Sequence, residues 1–418
     1  MLLALASLLL AAPAPAPPPP DLPAAVYRDR RERVIRELDG CVALLAARGE
    51  TSGVTEDYRQ DGDFLWLTGL SEGEAWVLLA PRAKYDRSVL FLRPRDPERE
   101  RWTGPRDPVS PALLERHGVD KVVRGRPDRA AVAAAMGSEC VAVIAPVGEV
   151  KEDRPDVILS RQVAEALGLR VVYKRDLLAR LRATHEPQEL ALMERAIDIT
   201  RAGHEAAARA TVAGVTERDV QTKIEYAFFS NGATGLSYGS IVGSGSNGAV
   251  LHWVRNDRVL KAGDLVVIDA AAEYGRYASD VTRTYPVSGR FTEEQARAYR
   301  AVYQAQEDIF AAIKPGASMA DLQKVAEASL KRAGYLEAFI HGFGHFVGLD
   351  VHDAGRYDLP LPVGAVFTVE PGVYLPEKGF GVRIEDEVLV TETGYRLLSS
   401  KIPRKLEEVE AWVAAARR

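Results

Sequence analysis

Residues 265–287, LVVIDAAAEYGRYASDVTRTYPV, contain two acids that each border a strand-like run. Asp269 ends an apolar run, so we expect its carboxylate to project into a cleft from a buried strand. A turn at Tyr274-Gly275 would bring Asp280 back beside Asp269 on a neighbouring strand. Two carboxylates held together in a partly dry site must share a proton or bind a cation. The stretch therefore predicts antiparallel pairing of its two ends and a cation site between them.

Three further residues with metal-binding side chains occur in short segments with apolar neighbours. His345 closes the segment HGFGH, Glu370 is the third residue of TVEPG, and Glu385 is the fourth residue of VRIED. With Asp269 and Asp280 they supply four carboxylates and one imidazole. Oxygen ligands favour Mn, Mg or Ca, and an imidazole extends the range to Fe, Co and Zn. Surplus carboxylates can bridge two ions about 3.5–4 Å apart, so the set predicts a two-metal centre.

Three other pattern matches point to different chemistry and are discounted. GSGSNG (243–248) fits a dinucleotide fingerprint, but a short β-like run follows it where that motif needs a helix. GLSYG (235–239) fits a nucleophile elbow, yet its polar and glycine-rich flanks favour a glycine loop. His341 and His345 have the spacing of a zinc-protease helix, but the intervening glycines disfavour a helix. We therefore expect different tasks for these two histidines.

The composition is that of a soluble globular protein with two or three domains. The chain has 418 residues, of which 47% are hydrophobic and 27% are charged. Its formal net charge of -5 provides no basic surface, which argues against a nucleic-acid partner. Four of its seven histidines, His252, His341, His345 and His352, lie among the carboxylate segments. This clustering adds candidate catalytic residues to the candidate metal ligands.

The two cysteines, Cys41 and Cys140, each lie in an apolar strand-like run. We predict two buried small hydrophobes, with no disulfide framework and no thiolate metal site.

The first 25 residues form a signal-like apolar and Pro-rich leader. The run from Leu2 to Ala12 has the length of a signal core, but the first basic residue is Arg28. Export to the periplasm or beyond through an atypical signal remains open, as does a cytoplasmic protein with a disordered tail or a misplaced start codon. The run is too short to span a membrane, and no other segment is a candidate span.

Periodicity divides the remaining chain into two parts, 26–175 and 176–418. In the first part we predict an α/β layer domain, since strands alternate with helices. Its expected helices are 27–37, 111–117, 129–136 and 156–167, and its expected strands are 41–46, 64–70, 76–80, 88–92, 140–145 and 169–173. In the second part we predict an α+β domain with antiparallel sheet. Its expected helices are 184–211, 216–228, 292–313 and 319–333, and its expected strands are 240–242, 251–254, 265–271 and 280–287.

The chain resembles the pita-bread metallopeptidases of family M24, close to aminopeptidase P (Xaa-Pro aminopeptidase) and prolidase. The segments that carry this resemblance are IVGSG (241–245), LH (251–252), IDA (268–270), DVTRT (280–284), HGFGH (341–345), GLDVHD (348–353), TVEPG (368–372) and RIED (383–386). In the first half the clearest stretch is YRQDGDFLWLTG (58–69), so the resemblance covers about residues 26–410. It implies a creatinase/aminopeptidase P N-terminal-like α/β domain and a pita-bread catalytic domain with a curved, mainly antiparallel sheet.

The resemblance also implies roles for the metal ligands. Asp269 would chelate one ion, His345 and Glu370 would bind the other, and Asp280 and Glu385 would bridge them. Glu370 would also be the proton shuttle. The implied cofactor is two divalent ions, Mn²⁺ first, with Co²⁺, Fe²⁺ and Zn²⁺ as alternatives.

Further roles follow from the same resemblance. His252, His341 and His352 would contact the substrate carbonyl and oxyanion, and Arg383 would orient a metal carboxylate. Tyr374, which follows EPG (370–372), is expected to be either a core aromatic or a pocket residue, with the core favoured. The segment 354–369 before Glu370 is short, so the resemblance leaves open how the rim, including Arg356, shapes peptide-length preference.

The implied activity is removal of the first residue from peptides that have proline second. A prolidase restricted to dipeptides is the alternative within the family. A non-catalytic pita-bread binding module is disfavoured because all five ligand residues are present. The resemblance also implies a homodimer or homotetramer.

Overall fold

The computed structural model describes residues 17–49, 58–145, 148 and 150–418. Most of the leader, including the whole apolar run of the expected signal, lies outside the described residues. None of the helices within the described ranges combines the length and the apolar character that a membrane crossing requires.

The N-terminal half is built on one six-stranded mixed sheet with the strand order β4-β3-β2-β1-β5-β6. Its strands are β1 (Val42–Ala46), β2 (Trp76–Leu79), β3 (Ser88–Leu92), β4 (Lys121–Arg124), β5 (Cys140–Ala145) and β6 (Arg170–Arg175). Its helices are α1 (Ala24–Glu37), α2 (Gly62–Thr68), α3 (Pro97–Thr103), α4 (Pro111–His117), α5 (Asp128–Ala135), α6 (Pro155–Leu167) and α7 (Leu177–Arg182). Alternate residues of β1 enter two hydrophobic clusters, one on each face of the sheet. The expected α/β layer architecture is present.

The predicted strand at residues 64–70 is wrong, because this segment forms helix α2. The Asp61 side chain accepts a hydrogen bond from the Phe64 amide and caps the helix start. Gly69 ends the helix in the left-handed region, at a φ of 64°. The apolar run that suggested a strand buries Phe64 and Leu67 against the core. Local capping therefore outweighs the apolar run.

The C-terminal half combines five long helices with small antiparallel sheets. Its helices are α8 (Pro187–Ala210), α9 (Glu217–Ser230), α10 (Glu293–Ala312), α11 (Met319–Ala333) and α12 (Leu406–Ala416). Its strands are β7 (Gly235–Leu236), β8 (Ile241–Ser244), β9 (Leu265–Asp269), β10 (Ala272–Glu273), β11 (Thr282–Pro286), β12 (Val366–Val369), β13 (Gly372–Leu375), β14 (Phe380–Arg383), β15 (Asp386–Thr391) and β16 (Gly394–Leu397).

The pairing predicted for residues 265–287 is present. Strands β9 and β11 are antiparallel, with Thr282 opposite Asp269. Strand β8 pairs with the other edge of β9, where Ile241 lies opposite Asp269. Since β9 has a partner on each side, residues 251–254 have no edge of β9 to pair with. The predicted strand at 251–254 is wrong, and this segment is irregular.

Buried ion pairs connect the two halves. Arg30 of α1 pairs with Glu186 at 2.7 Å and with Glu189 at 2.8 Å, at the start of α8. Arg182 at the end of α7 contacts Asp63 at 2.6 Å and also pairs with Asp353. One hydrophobic cluster is continuous from Leu22 to Val413. The halves are therefore packed together next to residues 345–353, which carry a predicted metal ligand.

Cys41 and Cys140 form a disulfide, so the prediction of two unpaired cysteines is wrong. Strands β1 and β5 are parallel neighbours with Val42 opposite Val141, which places the two cysteines side by side. Their Cα atoms are 4.7 Å apart, within the range that a disulfide spans. The prediction that both are buried is correct. Disulfides persist mainly in oxidising compartments, which favours the exported alternative.

Removing this disulfide is expected to lower stability. The bond closes a loop with a sequence separation of 99 residues, for which chain entropy gives about 3–5 kcal/mol. For protein produced in an oxidising compartment, Cys41→Ala/Cys140→Ala should lower Tm by about 3–6 °C. Calorimetry measures the shift, and thiol titration of denatured, unreduced wild-type protein is the control. Two free thiols in that titration would contradict the pairing.

Candidate metal centre

Two sheet segments bring four of the five candidate ligands together. Asp269 ends β9, and Asp280 lies just before the paired strand β11. Glu370 directly follows β12, and Glu385 directly precedes β15. These two strands are antiparallel with Val369 opposite Asp386, which brings both glutamates to the same end.

His345 reaches the centre from an irregular segment beside β12. Its amide donates to Thr368 Oγ1 at 3.0 Å, and its carbonyl accepts from the Thr368 amide at 2.8 Å. A further bond joins the two sheet segments, because the Glu385 amide donates to the Thr282 carbonyl at 3.1 Å. The backbone thus holds all three segments at one place.

The ligand atoms converge to distances that a divalent ion can bridge. His345 Nε2 lies 3.3 Å from Asp280 Oδ2 and 3.4 Å from Glu370 Oε1. Ligand atoms of Asp280, His345 and Glu385 all lie within 4.8 Å of one another. Asp269 Oδ1 is buried and has no hydrogen-bond partner among the described residues. A buried oxygen without a donor, in a set of hard and borderline ligands, fits divalent cations.

The electrostatics of these groups lead to the same conclusion. Burial, followed by the neighbouring Asp280, raises the pKa of Glu385 well above its usual value and that of Glu370 to about 7. Burial also raises the pKa of Asp269. Burial lowers the pKa of His345, but the carboxylates of Asp280 and Glu370 outweigh it and raise that pKa to about 9. Without a cation, the site takes up protons to balance its negative charge.

Arg383 connects the centre to its surroundings. Its guanidinium donates to Asp269 Oδ2 at 2.7 Å and to Thr282 Oγ1 at 3.1 Å. Thr282 in turn donates its hydroxyl to Glu385 at 2.6 Å. Arg383 also donates to the Tyr374 hydroxyl at 2.8 Å. The buried guanidinium of Arg383 therefore orients both the Asp269 carboxylate and the Tyr374 hydroxyl.

The Tyr374 hydroxyl lies between Arg383 and His341, so Tyr374 is more than the core aromatic that its sequence context suggested. His341 Nδ1 lies 2.7 Å from the Gly342 carbonyl and must donate to it. His341 Nε2 is then the acceptor for the Tyr374 hydroxyl, at 3.0 Å. Burial, then Arg383, lowers the pKa of His341 to about 4, which keeps the imidazole neutral.

Tyr238 is a functional candidate that the sequence analysis missed. Its hydroxyl donates to Asp280 Oδ1 at 2.5 Å. Burial, then Asp269 and Asp280, raises the pKa of Tyr238 well above its usual value, so it remains a donor. In the nucleophile-elbow match at 235–239 the candidate nucleophile is Ser237. The hydroxyl of Ser237 instead donates to the Ala272 carbonyl at 3.0 Å. No signal in the sequence distinguished the tyrosine from a loop residue.

The other two predicted histidines are exposed in the cleft. His352 stacks on His345, with ring centroids 3.9 Å apart and an interplanar angle of 10°. Burial, then His345, lowers the pKa of His352. His252 lies on the irregular segment that follows β8. Both imidazoles can reach a molecule that enters the cleft.

The cleft has a volume of about 550 Å³, and all nine predicted site residues line it. They are Asp269, Asp280, His345, Glu370, Glu385, His252, His341, His352 and Arg383. Ile241, Leu251, Val254, Val351 and Tyr357 add apolar lining. Arg356, the candidate rim arginine, pairs with Asp176 and Asp358 instead. The cleft therefore presents polar ligands together with an apolar surface.

Comparison with known proteins gives matches along most of the chain. Residues 191–392 match Metallopeptidase family M24, and residues 27–141 match the Aminopeptidase P, N-terminal domain. The Xaa-Pro aminopeptidase of Haemophilus influenzae is 33% identical over 93% of this chain and 97% of its own. The structure of the Pseudomonas aeruginosa aminopeptidase PepP has a TM-score of 0.84 and 32% identity, covering 95% of this chain and 99% of that chain. The structure of a Zn-substituted Escherichia coli aminopeptidase P in complex with product has a TM-score of 0.84 and 30% identity, and the match covers 96% of this chain and 100% of that chain.

Asp280→Ala is expected to reduce metal binding, because it removes a ligand that also accepts from Tyr238. We expect divalent-ion affinity to fall at least ~10-fold. Isothermal titration of the metal-free protein measures the affinity. Asp198→Ala is the matched control, since Asp198 pairs with Lys401 at 2.7 Å and is 40% exposed. Equal affinities for Asp280→Ala and wild type would exclude Asp280 as a ligand.

Proposed function

The chain belongs to the aminopeptidase P group of metallopeptidase family M24, and on this premise we propose that it is an Xaa-Pro aminopeptidase, which hydrolyses the first bond of peptides with proline second. The predicted fold, an α/β N-terminal domain with a pita-bread catalytic domain, is confirmed by these similarities. The observation that carries the proposal is the convergence of one imidazole and four carboxylates on a cleft that also contains two exposed histidines.

Five residues would hold the divalent ions of this enzyme. Asp269 would bind one ion, His345 and Glu370 the other, and Asp280 and Glu385 would lie between them. When bound, such ions lower the pKa of water towards 7 and polarise a carbonyl oxygen. We propose Mn²⁺ as the native ion because carboxylates dominate the ligand set. A Zn-substituted relative indicates that the group can accept another ion.

Glu370 is our candidate for carrying protons during hydrolysis. Asp280 accepts from Tyr238 at 2.5 Å, and Glu385 accepts from Thr282 at 2.6 Å. Among the described residues, the Glu370 carboxylate makes only longer polar contacts, 3.4 Å to Thr368 Oγ1 and 3.4 Å to His345 Nε2. A carboxylate that few donors hold can accept a proton and pass it to the leaving nitrogen.

The hydrogen bonds support different tasks for the three histidines. His341 directs Nδ1–H at the Gly342 carbonyl and uses Nε2 as an acceptor, so it has no N–H left for substrate. We propose that His341 fixes Tyr374 and, through it, Arg383. His252 and His352 are exposed in the cleft and would donate to the substrate carbonyl and its oxyanion.

A bond before proline places special demands on a peptidase. The proline nitrogen carries no N–H, so the enzyme cannot recognise the bond through a hydrogen bond from that atom. The ring instead offers apolar surface, which suits the apolar lining of Leu251, Val254 and Val351. The departing nitrogen must also gain a proton, which places a proton carrier such as Glu370 within the reaction.

Peptide length tests the proposal against its alternative. We expect the metal-loaded protein to release the first residue from Xaa-Pro-Pro tripeptides and to cleave Xaa-Pro dipeptides more slowly. Chromatography of products over time measures both rates, and an Xaa-Ala-Pro tripeptide is the control. Cleavage of dipeptides alone would assign a prolidase. No cleavage of any peptide by metal-loaded protein would support a non-catalytic binding module.

Metal content and stability provide a second test that does not depend on activity. Because metal binding stabilises the folded state, Mn²⁺ at 100 times its Kd should add about 2.7 kcal/mol to the metal-free protein. Calorimetry with Mn²⁺, Co²⁺, Fe²⁺ and Zn²⁺ ranks the ions, and elemental analysis gives the number bound. We expect two ions per chain. A single ion at saturation would contradict the two-metal centre.

A further inference from the structure

We propose that Glu217 is a positioning residue that sets the location of His252 in the active site. This inference rests on the proposed function, because it concerns how one histidine of that site is placed. Glu217 is the first residue of α9 and is fully buried.

The segment that carries His252 has no regular structure to hold it. Residues 251–258 form neither helix nor strand, and both edges of β9 are occupied by β8 and β11. Within the segment, the Val254 amide donates to the His252 carbonyl at 3.1 Å. The His252 side chain is itself exposed. The position of this imidazole therefore depends on side chains that bind the segment from outside.

The Glu217 carboxylate binds the segment at several points. Its Oε1 accepts from the Ser244 amide and hydroxyl, both at 2.7 Å, and from Asn247 Nδ2 at 3.0 Å. Its Oε2 accepts from Trp253 Nε1 and from the Arg258 amide, both at 3.0 Å. The donors lie before His252, directly beside it and after it in the chain. One carboxylate thus binds the chain that precedes the segment, the residue next to the histidine and the end of the segment.

This site requires a carboxylate in particular. Every partner of the Glu217 carboxylate is a donor, and only a carboxylate accepts at both oxygens. A glutamine would direct an NH₂ group at N–H or O–H donors in either orientation of its amide. The position at the start of α9 further favours a negative charge. A surface turn that needed only a cap would not require a fully desolvated charge with donors on both oxygens.

Asn256 supports the same segment from its other side. It is fully buried, accepts from the Val242 amide at 3.0 Å and donates to the Ser240 carbonyl at 2.8 Å. It also donates to Gln221 of α9 at 2.7 Å. The segment is therefore held between α9 and β8. None of these Glu217 or Asn256 bonds involves a side chain of the five metal ligands.

A double-mutant cycle on the metal-loaded protein tests the proposal. We expect Glu217→Gln to lower kcat/KM for an Xaa-Pro-Pro peptide at least ~10-fold while bound metal stays at the wild-type level. In a His252→Ala background the same change should have less than about a threefold further effect, since the residue it positions is gone. Additive effects of the two substitutions, or a Glu217→Gln variant equal to wild type, would overturn the proposal.

Two further variants keep the test decisive if Glu217→Gln does not fold. Trp253→Phe removes only the donor beside His252, and we expect a smaller loss that is also non-additive with His252→Ala. A Trp253→Phe variant without effect, or one additive with His252→Ala, would overturn the proposal. Glu410→Gln is the matched control and should leave kcat/KM unchanged. Glu410 lies on helix α12, and its carboxylate accepts a hydrogen bond from the Phe291 amide at 3.0 Å.

The His252 side-chain NMR signal provides a readout independent of catalysis. In ¹³C-histidine-labelled protein loaded with diamagnetic Zn²⁺, His252→Ala assigns the signal, and both Glu217→Gln and Trp253→Phe should shift or broaden it. An unchanged signal would overturn the positioning role. If wild type cleaves no Xaa-Pro peptide, the proposed function fails, while the NMR comparison still decides whether Glu217 sets the position of His252.

Discussion

The structure depends on one electrostatic constraint, the mutual repulsion of buried carboxylates. Asp269, Asp280, Glu370 and Glu385 converge from separate segments into one partly buried site. The raised pKa values of Asp269, Glu370 and Glu385 express the free energy required to hold like charges together away from water. Protons or divalent cations must balance this charge. The strand pairings that bring these acids together are therefore compatible with a stable fold only when protons or divalent cations balance the negative charge.

A surrounding layer of donors makes the arrangement rigid. Arg383 binds Asp269 and Tyr374, so the carboxylate and His341 cannot move independently. Behind them the buried Gln306 donates to the Val369 and Ile384 carbonyls, at 3.0 Å and 3.3 Å. These carbonyls immediately precede Glu370 and Glu385 in the chain. Rigid placement matters for catalysis because reacting groups must keep their geometry as charge develops.

Much of the fold and of the site was predictable from local sequence signals. The helices expected at 216–228 and 292–313 are present as α9 and α10, and the turn after Asp269 predicted its pairing with the strand that follows Asp280. The two errors in secondary structure share one cause. Residues 64–70 and 251–254 were assigned to strands from apolar character alone, which does not distinguish a capped helix or an irregular segment from a strand. The cap at Asp61 makes residues 64–70 part of a helix, and the occupied edges of β9 leave residues 251–254 without a strand to pair with.

The ligand chemistry can be predicted from the chain alone, because the four acids, the imidazole and their apolar flanks are visible without coordinates. Which side chains meet across large separations depends on the tertiary structure. The fold pairs Cys41 with Cys140, brings the Tyr238 hydroxyl to Asp280, and directs the Nε2 atom of His341 towards the Tyr374 hydroxyl. The physical reason is that hydrogen bonds and disulfides depend on distances of a few ångströms between residues far apart in the chain. Local periodicity carries no information about such distances.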